Sequence, residues 1–390
     1  MADWCREVIA RQSVLLGSPG HLPRCKANAV YTGSGPEYSA RWSAIVQDDS
    51  NTMRAGSCQS GKPLVSVVIP AYNVARYIGD AVQSVLDQDY DRKEIIVVDD
   101  GSTDDTREVL ERFGARIRLE RQENAGSAVA RNRGVSAAAG EYIAFLDGDD
   151  VWLPGKLRAQ VAYMEAHPDV GCTCTRWVEW RRSGDAFPPL DRLVQLPAPA
   201  GERIRPIPEE SGWLYHRILT EFLVWTSTVM VRRCTLEEAG PFNPDLRRGQ
   251  DFDYWIRLSR LTPIHKLDAI FAAYRLHGAG TTVSCPSRNY AVEIIENAVA
   301  KWGLVGPDGT RVDPRVFHKH LGALWCGYGA KQLRAGSPGR AVSSLSMAIC
   351  HDPLAFRAWY LFCASLVDLV GFGVLRNVLK RRGRALAKGV

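Results

Sequence analysis

The chain has no run of about 18 uncharged apolar residues, so no membrane-spanning helix is expected. Its first ten residues hold Asp3, Arg6 and Glu7 and no sustained apolar stretch, so no signal peptide is expected and the chain reads as cytoplasmic. Its ten cysteines never take the paired C-x-x-C spacing of a zinc centre. Only Cys172 and Cys174 stand close together, and reduced, mostly buried thiols are expected. No G-x-G-x-x-G follows the first apolar strand, which argues against a dinucleotide oxidoreductase. A general surplus of charge is missing too. The net +6 resides in Arg376, Lys380, Arg381, Arg382, Arg384 and Lys388, with no acid among them, and the near-neutral remainder argues against a nucleic-acid-binding body. With 46% hydrophobic and 24% charged residues in 390, there is material for a globular core of one sizeable domain plus a smaller one.

What is present centres on Glu141-Tyr-Ile-Ala-Phe-Leu-Asp-Gly-Asp-Asp150, where a short apolar run ends in three closely spaced carboxylates. Ile143 to Leu146 is too short for a free helix and lies between Gly140 and Gly148, which predicts a buried strand delivering acids to a sheet edge. Asp147 and Asp149, two apart, would lean to one side, and Gly148 would let the backbone approach a ligand. Carboxylates crowded in this way repel, and they favour a hard divalent cation that shares its shell with phosphate oxygens. In isolation, an Asp-rich turn capping the next helix looks the same.

The preceding residues supply the context. Val65 to Ile69 reads as a strand ended by Pro70, and Val74 to Leu86 as an amphipathic helix with Asn73 as its N-cap. Glu94 to Val98 reads as a second buried strand running into Asp99-Asp100-Gly101-Ser102. A helix stopped by Gly114, a strand over Arg116 to Leu119 and a helix over Ser127 to Ala139 follow. Strand alternating with helix predicts the α/β class, with a parallel sheet and right-handed crossovers. Ligands in such sheets sit beyond the carboxyl ends of the strands. Those ends here carry Pro70 to Asn73, Asp99 to Ser102 and Asp147 to Asp150, and acids at two strand ends point to a site rather than a turn.

The segments VSVVIPAYN, EIIVVDDGSTDDT, NAGSAVARNRG and GEYIAFLDGDDVW, in this order, resemble the family 2 glycosyltransferases of GT-A fold, between residues 63 and 280. The resemblance implies a GT-A type mostly parallel sheet flanked by helices, followed by a smaller α-helical C-terminal region. It implies that Pro70, Ala71, Tyr72, Asn73, Asp99 and Asp100 form the nucleotide side, with Ala71, Tyr72, Asp99 and Asp100 at the base and ribose. Asn124, Gly126 and Arg131 would face the donor, and Asp147 and Gly148 would reach the nucleotide; a surface salt bridge is the other reading of Arg131. Asp149 would be the main ligand of Mg²⁺ or Mn²⁺, with His277 completing the metal or diphosphate site. In Gly249-Gln-Asp-Phe-Asp-Tyr-Trp-Ile-Arg-Leu258, Asp251 matches the catalytic base, on the first turn of a helix. The family usually has Glu-Asp where this chain has Gln250-Asp251, so the charge beside the base differs.

The implied activity is inverting transfer of one sugar from a nucleotide-diphosphate sugar to a saccharide, lipid-linked or other hydroxyl acceptor, in glycan or glycoconjugate biosynthesis. The Q-x-x-R-W motif and transmembrane helices of processive synthases are absent, which points to single-sugar addition. Two rival functions are a sugar-phosphate nucleotidyltransferase and a non-catalytic nucleotide-sugar-binding protein. The first requires a Gly-rich basic loop where Pro70-Ala-Tyr-Asn73 stands, and the second has no need of Asp251.

Three regions are expected: a poorly ordered extension over 1–60, a glycosyltransferase domain over 61–285, and a helical region over 286–390 ending in the basic tail. Within the second, proline-rich Gly184 to Glu210 reads as a loop, Thr226 to Arg232 as a strand and Leu236 to Gly240 as a short helical turn. Tyr290 to Lys301, Val316 to Arg334 and Gly339 to Cys350 carry helical spacing. Trp359 to Leu375 reads as a packed or membrane-surface helix, and the cations after it as a contact for anionic lipid or a solvated helix end.

Overall fold

A computed structural model of the chain describes residues 61–183, 186–190, 204–277 and 285–369. The extension over 1–60, most of the loop over 184–203 and the basic tail lie outside the described residues.

The first half alternates as the sequence implies. Strand β1 (Val65–Ala71) leads to helix α1 (Ile78–Leu86), β2 (Lys93–Asp99) to α2 (Thr106–Glu111), β3 (Arg118–Arg121) to α3 (Ser127–Ala137), and β4 (Tyr142–Phe145) closes the run. All four strands are parallel, in spatial order β3-β2-β1-β4. Val65, Val67 and Ile69 of β1 face one core, shared with Ile78, Ala81, Val82 and Val85 of α1. Val68, between them, faces the other, beside Ile143 and Phe145 of β4. Both faces of the central strands are thus buried, which is why they read as unbroken apolar runs.

The second half adds β5 (Val151–Trp152), α4 (Lys156–Ala166), β6 (Cys172–Arg181), β7 (Pro206–Gly212), α5 (Tyr215–Ile218), β8 (Met230–Arg232), α6 (Arg233–Ala239), α7 (Gln250–Leu258) and β9 (Ile264–Leu276). The sheet continues β4-β8-β6-β9-β5, with β7 also on β9. Here β8, β5 and β7 pair antiparallel, while β6 and β9 are parallel, so this half is mixed.

Several local expectations change. Asn73 does not cap α1, which begins at Ile78; its backbone is left-handed at φ 51°, and its Oδ1 accepts from the Thr103 amide at 2.8 Å. It joins the loops after β1 and β2 instead. The strand expected over Thr226 to Arg232 is a 3-10 turn, Thr226–Thr228, followed by the short β8, because the Thr228 hydroxyl donates back to the Trp225 carbonyl at 2.6 Å. The end of the expected loop, from Pro206, is β7, an irregular edge strand opened by its proline. Cys172, Cys174 and Cys326 are buried free thiols, but Cys234 and Cys363 are exposed and Cys350 is disulfide-bonded.

Four helices follow: α8 (Tyr290–Trp302), α9 (Pro314–Arg334), α10 (Pro338–His351) and α11 (Phe356–Leu369). Asp313 caps α9 by accepting the Arg315 amide at 2.7 Å, and Pro314 occupies its first turn. Val292, Ile294 and Ile295 of α8, with Phe317 and Leu321 of α9, share one core with Phe242, Tyr254 and Trp255 of the sheet module. A separate cluster joins Cys326, Ala330 and Leu333 of α9 to α10 and α11. No helix among the described residues is long and apolar enough to cross a membrane.

Candidate active site

The rim at the carboxyl ends of β1, β2 and β4 opens into a cavity of about 660 Å³. Pro70, Ala71, Tyr72, Asp100, Arg131, Asp147, Gly148, Asp149 and Asp251 all line it. Asn73, Asp99, Asn124, Gly126 and His277 are not among the residues that line it; Asn73 and Asn124 are exposed, and Asp99 is buried.

The acids after β2 are spent on the loop beside them. Asp99 is fully buried; its Oδ1 accepts the Ser102 amide at 2.9 Å and its Oδ2 meets Arg121 at 3.4 Å. Asp100 accepts from Gln122 Nε2 at 2.7 Å and from the amides of Ala125 and Gly126 at 2.9 and 2.8 Å. Its carboxylate therefore fixes the loop that starts α3, and Asn124 and Gly126 belong to that loop.

The acids after β4 divide by direction. Asp147 Oδ1 meets Arg131 Nη2 at 2.6 Å. Arg131 is buried on α3, and its Nε and Nη1 have no hydrogen-bond partner, so the pair is an internal one on the cavity wall, not a surface salt bridge. Burial pushes the Asp147 carboxyl up; the Arg131 charge opposes this, and the charges of Asp149 and Asp251 add to it. Asp149 is partly exposed and faces His277, with Oδ2 and Nε2 2.9 Å apart. His277 packs on the Tyr77 ring and leaves its Nδ1 without a partner. Asp150 turns inward, accepting from Ser227 Oγ at 2.6 Å, Trp225 Nε1 at 3.2 Å and the Arg275 amide at 3.1 Å. Burial, then the charges of Asp149 and Asp147, push its carboxyl well above the usual range. Gly148 is needed for a reason other than ligand approach: a Cβ there would stand 2.9 Å from the Pro70 carbonyl, so only glycine lets this loop lie on the end of β1.

Asp251 sits on the first turn of α7, and its Oδ2 accepts from Thr226 Oγ1 at 3.2 Å. The neighbouring Gln250 is buried and donates to Ser127 Oγ, tying the start of α7 to the start of α3.

Sequence reasoning missed three contributors. Arg275 is buried, donates to the Asp149 carbonyl at 3.0 Å and pairs with Asp80 at 2.8 Å, so it holds the acidic loop against α1. Phe222, Trp225 and Tyr274 form an aromatic wall, with Trp225 and Tyr274 centroids 4.2 Å apart. Tyr290, Tyr328 and Lys331 bring α8 and α9 to the far side of the same cavity. Position gave a signal only for Arg275, two residues before His277; the others come together through tertiary packing.

A half-parallel, half-mixed sheet with acids at the ends of β2 and β4, on either side of β1, around one cleft is the GT-A arrangement of sugar-transferring enzymes. S. aureus TarS 1-349 in its complex with UDP-GlcNAc has the same fold at a TM-score of 0.54 and 18% identity, covering 74% of this chain and 81% of that one. Residues 66–218 match the family model described as glycosyl transferase family 2. The chain is 35% identical over 221 residues to the Bacillus subtilis glycosyltransferase TuaG, provisionally named for teichuronic acid biosynthesis, covering 55% of this chain and 80% of that protein. It is 34% identical over 232 residues to a Nostoc glycosyltransferase, covering 57% and 68%. The chain belongs to glycosyltransferase family 2, and it is a glycosyltransferase.

Proposed function

We propose that the protein moves one sugar from a nucleotide-diphosphate sugar to an acceptor hydroxyl, with inversion, in the building of a glycan or glycoconjugate. The observation that carries this reading is one cavity lined both by Asp147 and Asp149 and by Asp251. Donor-holding and proton-accepting groups then share a single space. The nucleotide lies along Pro70, Ala71, Tyr72 and Asp100, and the diphosphate lies toward Asp149 and the unpartnered nitrogens of Arg131. TarS, solved with UDP and with UDP-GlcNAc, is a fold neighbour that takes such a donor.

The donor atoms fit a divalent cation of the Mg²⁺ or Mn²⁺ kind. Asp149 Oδ2 and His277 Nε2 stand 2.9 Å apart. Such an ion characteristically takes one or two protein ligands and completes its shell with substrate phosphates and water. When bound, it supplies charge that stabilises the leaving diphosphate.

Asp251 accepts the proton of the acceptor hydroxyl as that oxygen bonds to the anomeric carbon. The bond from that carbon to the diphosphate oxygen breaks, and the nucleoside diphosphate leaves with the electron pair. One displacement inverts the centre. Thr226 orients the carboxylate through its hydroxyl, and the Phe222, Trp225 and Tyr274 wall offers apolar ring faces to an acceptor sugar.

The test is Asp251→Asn, after thermal-shift screening of nucleotide-diphosphate sugars with Mn²⁺ has identified a donor. Transfer should fall by about 10² to 10⁴ fold while donor affinity stays unchanged. Undiminished transfer removes Asp251 as the base.

A further inference from the structure

The last described helix, α11, is apolar on both sides. Its inward face, Ala358, Leu361 and Ala364, packs on α9 and α10. Its outward face carries Phe356, Trp359, Tyr360, Cys363, Leu366, Val367 and Leu369, all exposed, with Phe356 at 90% and the preceding Leu354 at 85%. Only Arg357 and Asp368 are charged within it. A helix apolar all round is normally buried all round, and most of the large exposed apolar side chains of the described residues are gathered on this segment.

We infer that this face docks on an anionic lipid bilayer, lying in the interface with Phe356 and Tyr360 inserted. Charge selects this occupant. The sequence just beyond the helix carries Arg376, Lys380, Arg381, Arg382, Arg384 and Lys388 without one acid. A second copy seated on the face would bring two such cationic segments together, whereas anionic headgroups attract them, by about fivefold in affinity per well-placed cation. Its 14 described residues are fewer than the roughly 20 that a span needs, so on this inference it lies along the surface. This inference is independent of the proposed reaction.

Full-length protein is sedimented with vesicles of phosphatidylcholine alone or with about a third of phosphatidylglycerol, at low and high salt. Binding should require the anionic lipid and weaken with salt. Phe356→Ser/Tyr360→Ser should lower the partition coefficient about tenfold or more, with circular dichroism and donor-induced thermal shift unchanged. Replacing Lys380, Arg381 and Arg382 by Gln should lower it comparably. The inference is overturned if wild-type protein stays in the supernatant at low salt. It is overturned also if the apolar variant binds as well as wild type, leaving electrostatics of the tail alone. Light scattering that shows a dimer made monomeric by Phe356→Ser/Tyr360→Ser would assign the face to a second copy.

Discussion

At the scale of single residues, the site is a set of carboxylates assigned different tasks by what surrounds them. Asp149→Ala should remove metal-dependent nucleotide affinity while the fold persists, because this side chain is partly exposed beyond the strand end. Titration of nucleotide with and without Mn²⁺ checks this; equal affinity in both conditions for wild type and variant would contradict the metal assignment. Arg131→Met leaves Asp147 facing a buried wall without its counter-charge and should cost about 3 kcal/mol of unfolding free energy. Adding Asp147→Asn should restore at least about 1 kcal/mol in a double-mutant cycle, read by urea denaturation. The residue-level site was legible in its position past the strand ends and not in the direction of each carboxylate, since Asp147 meets Arg131 and Asp149 meets His277. Asp147 and Asp149 could be picked out by their place just past a buried apolar strand, but the inward turn of Asp150 follows from Ser227 and Trp225, 75 or more positions away. Nor did the sequence reveal that Gly148 is matched to the Pro70 carbonyl, since that contact exists only once β1 and β4 pair.

At the scale of elements, the helix pair α9 and α10 is set by small residues and a histidine contact. Gly329 lies so close to α10 that an added Cβ would meet Leu345 at 2.7 Å. Gly329→Ala should therefore destabilise by about 1 to 3 kcal/mol, measured by thermal or urea unfolding. His318 and His351 face each other across the pair, Nδ1 to Nδ1, at 3.1 Å. Burial, helped by the His318 charge, pushes His351 down to about 4. The folded state then binds fewer protons than the unfolded chain, whose histidine titrates near 6.5, so this contribution is complete above about 6.5 and is lost as pH falls toward 4. His351→Gln should flatten the pH dependence of stability over that window by up to about 3 kcal/mol, seen in unfolding curves at successive pH values. Elements with their own signal were readable: β1 and β2 as buried apolar runs, α8 to α10 by helical period. The mixed half was not. Strand β9 shows no alternation because its partner β6 shifts register at Thr175 to Trp177, and β8 has only three residues between a 3-10 turn and a helix.

At the scale of the whole molecule, the C-terminal helices do two jobs for the catalytic module. They supply Tyr290, Tyr328 and Lys331 to the cavity, and through Val292, Ile295 and Phe317 they complete the core around Trp255. A chain ending at residue 285 would expose Tyr254, Trp255 and Phe242, so it should recover in the insoluble fraction or bind a hydrophobic dye. A soluble truncation with unchanged donor binding would show that the sheet module closes its core alone.

The Asp100 carboxylate offers a different kind of consequence. Three donors, all from the chain itself, tie the loop from Gln122 to Gly126 to this one carboxylate. The conformational entropy of that loop is surrendered during synthesis and folding, long before a donor arrives. Binding should then resemble a key entering a finished lock, with a small heat-capacity change and rapid association, whereas Asp100→Ala should convert it to a slower encounter with a larger entropic penalty in calorimetry.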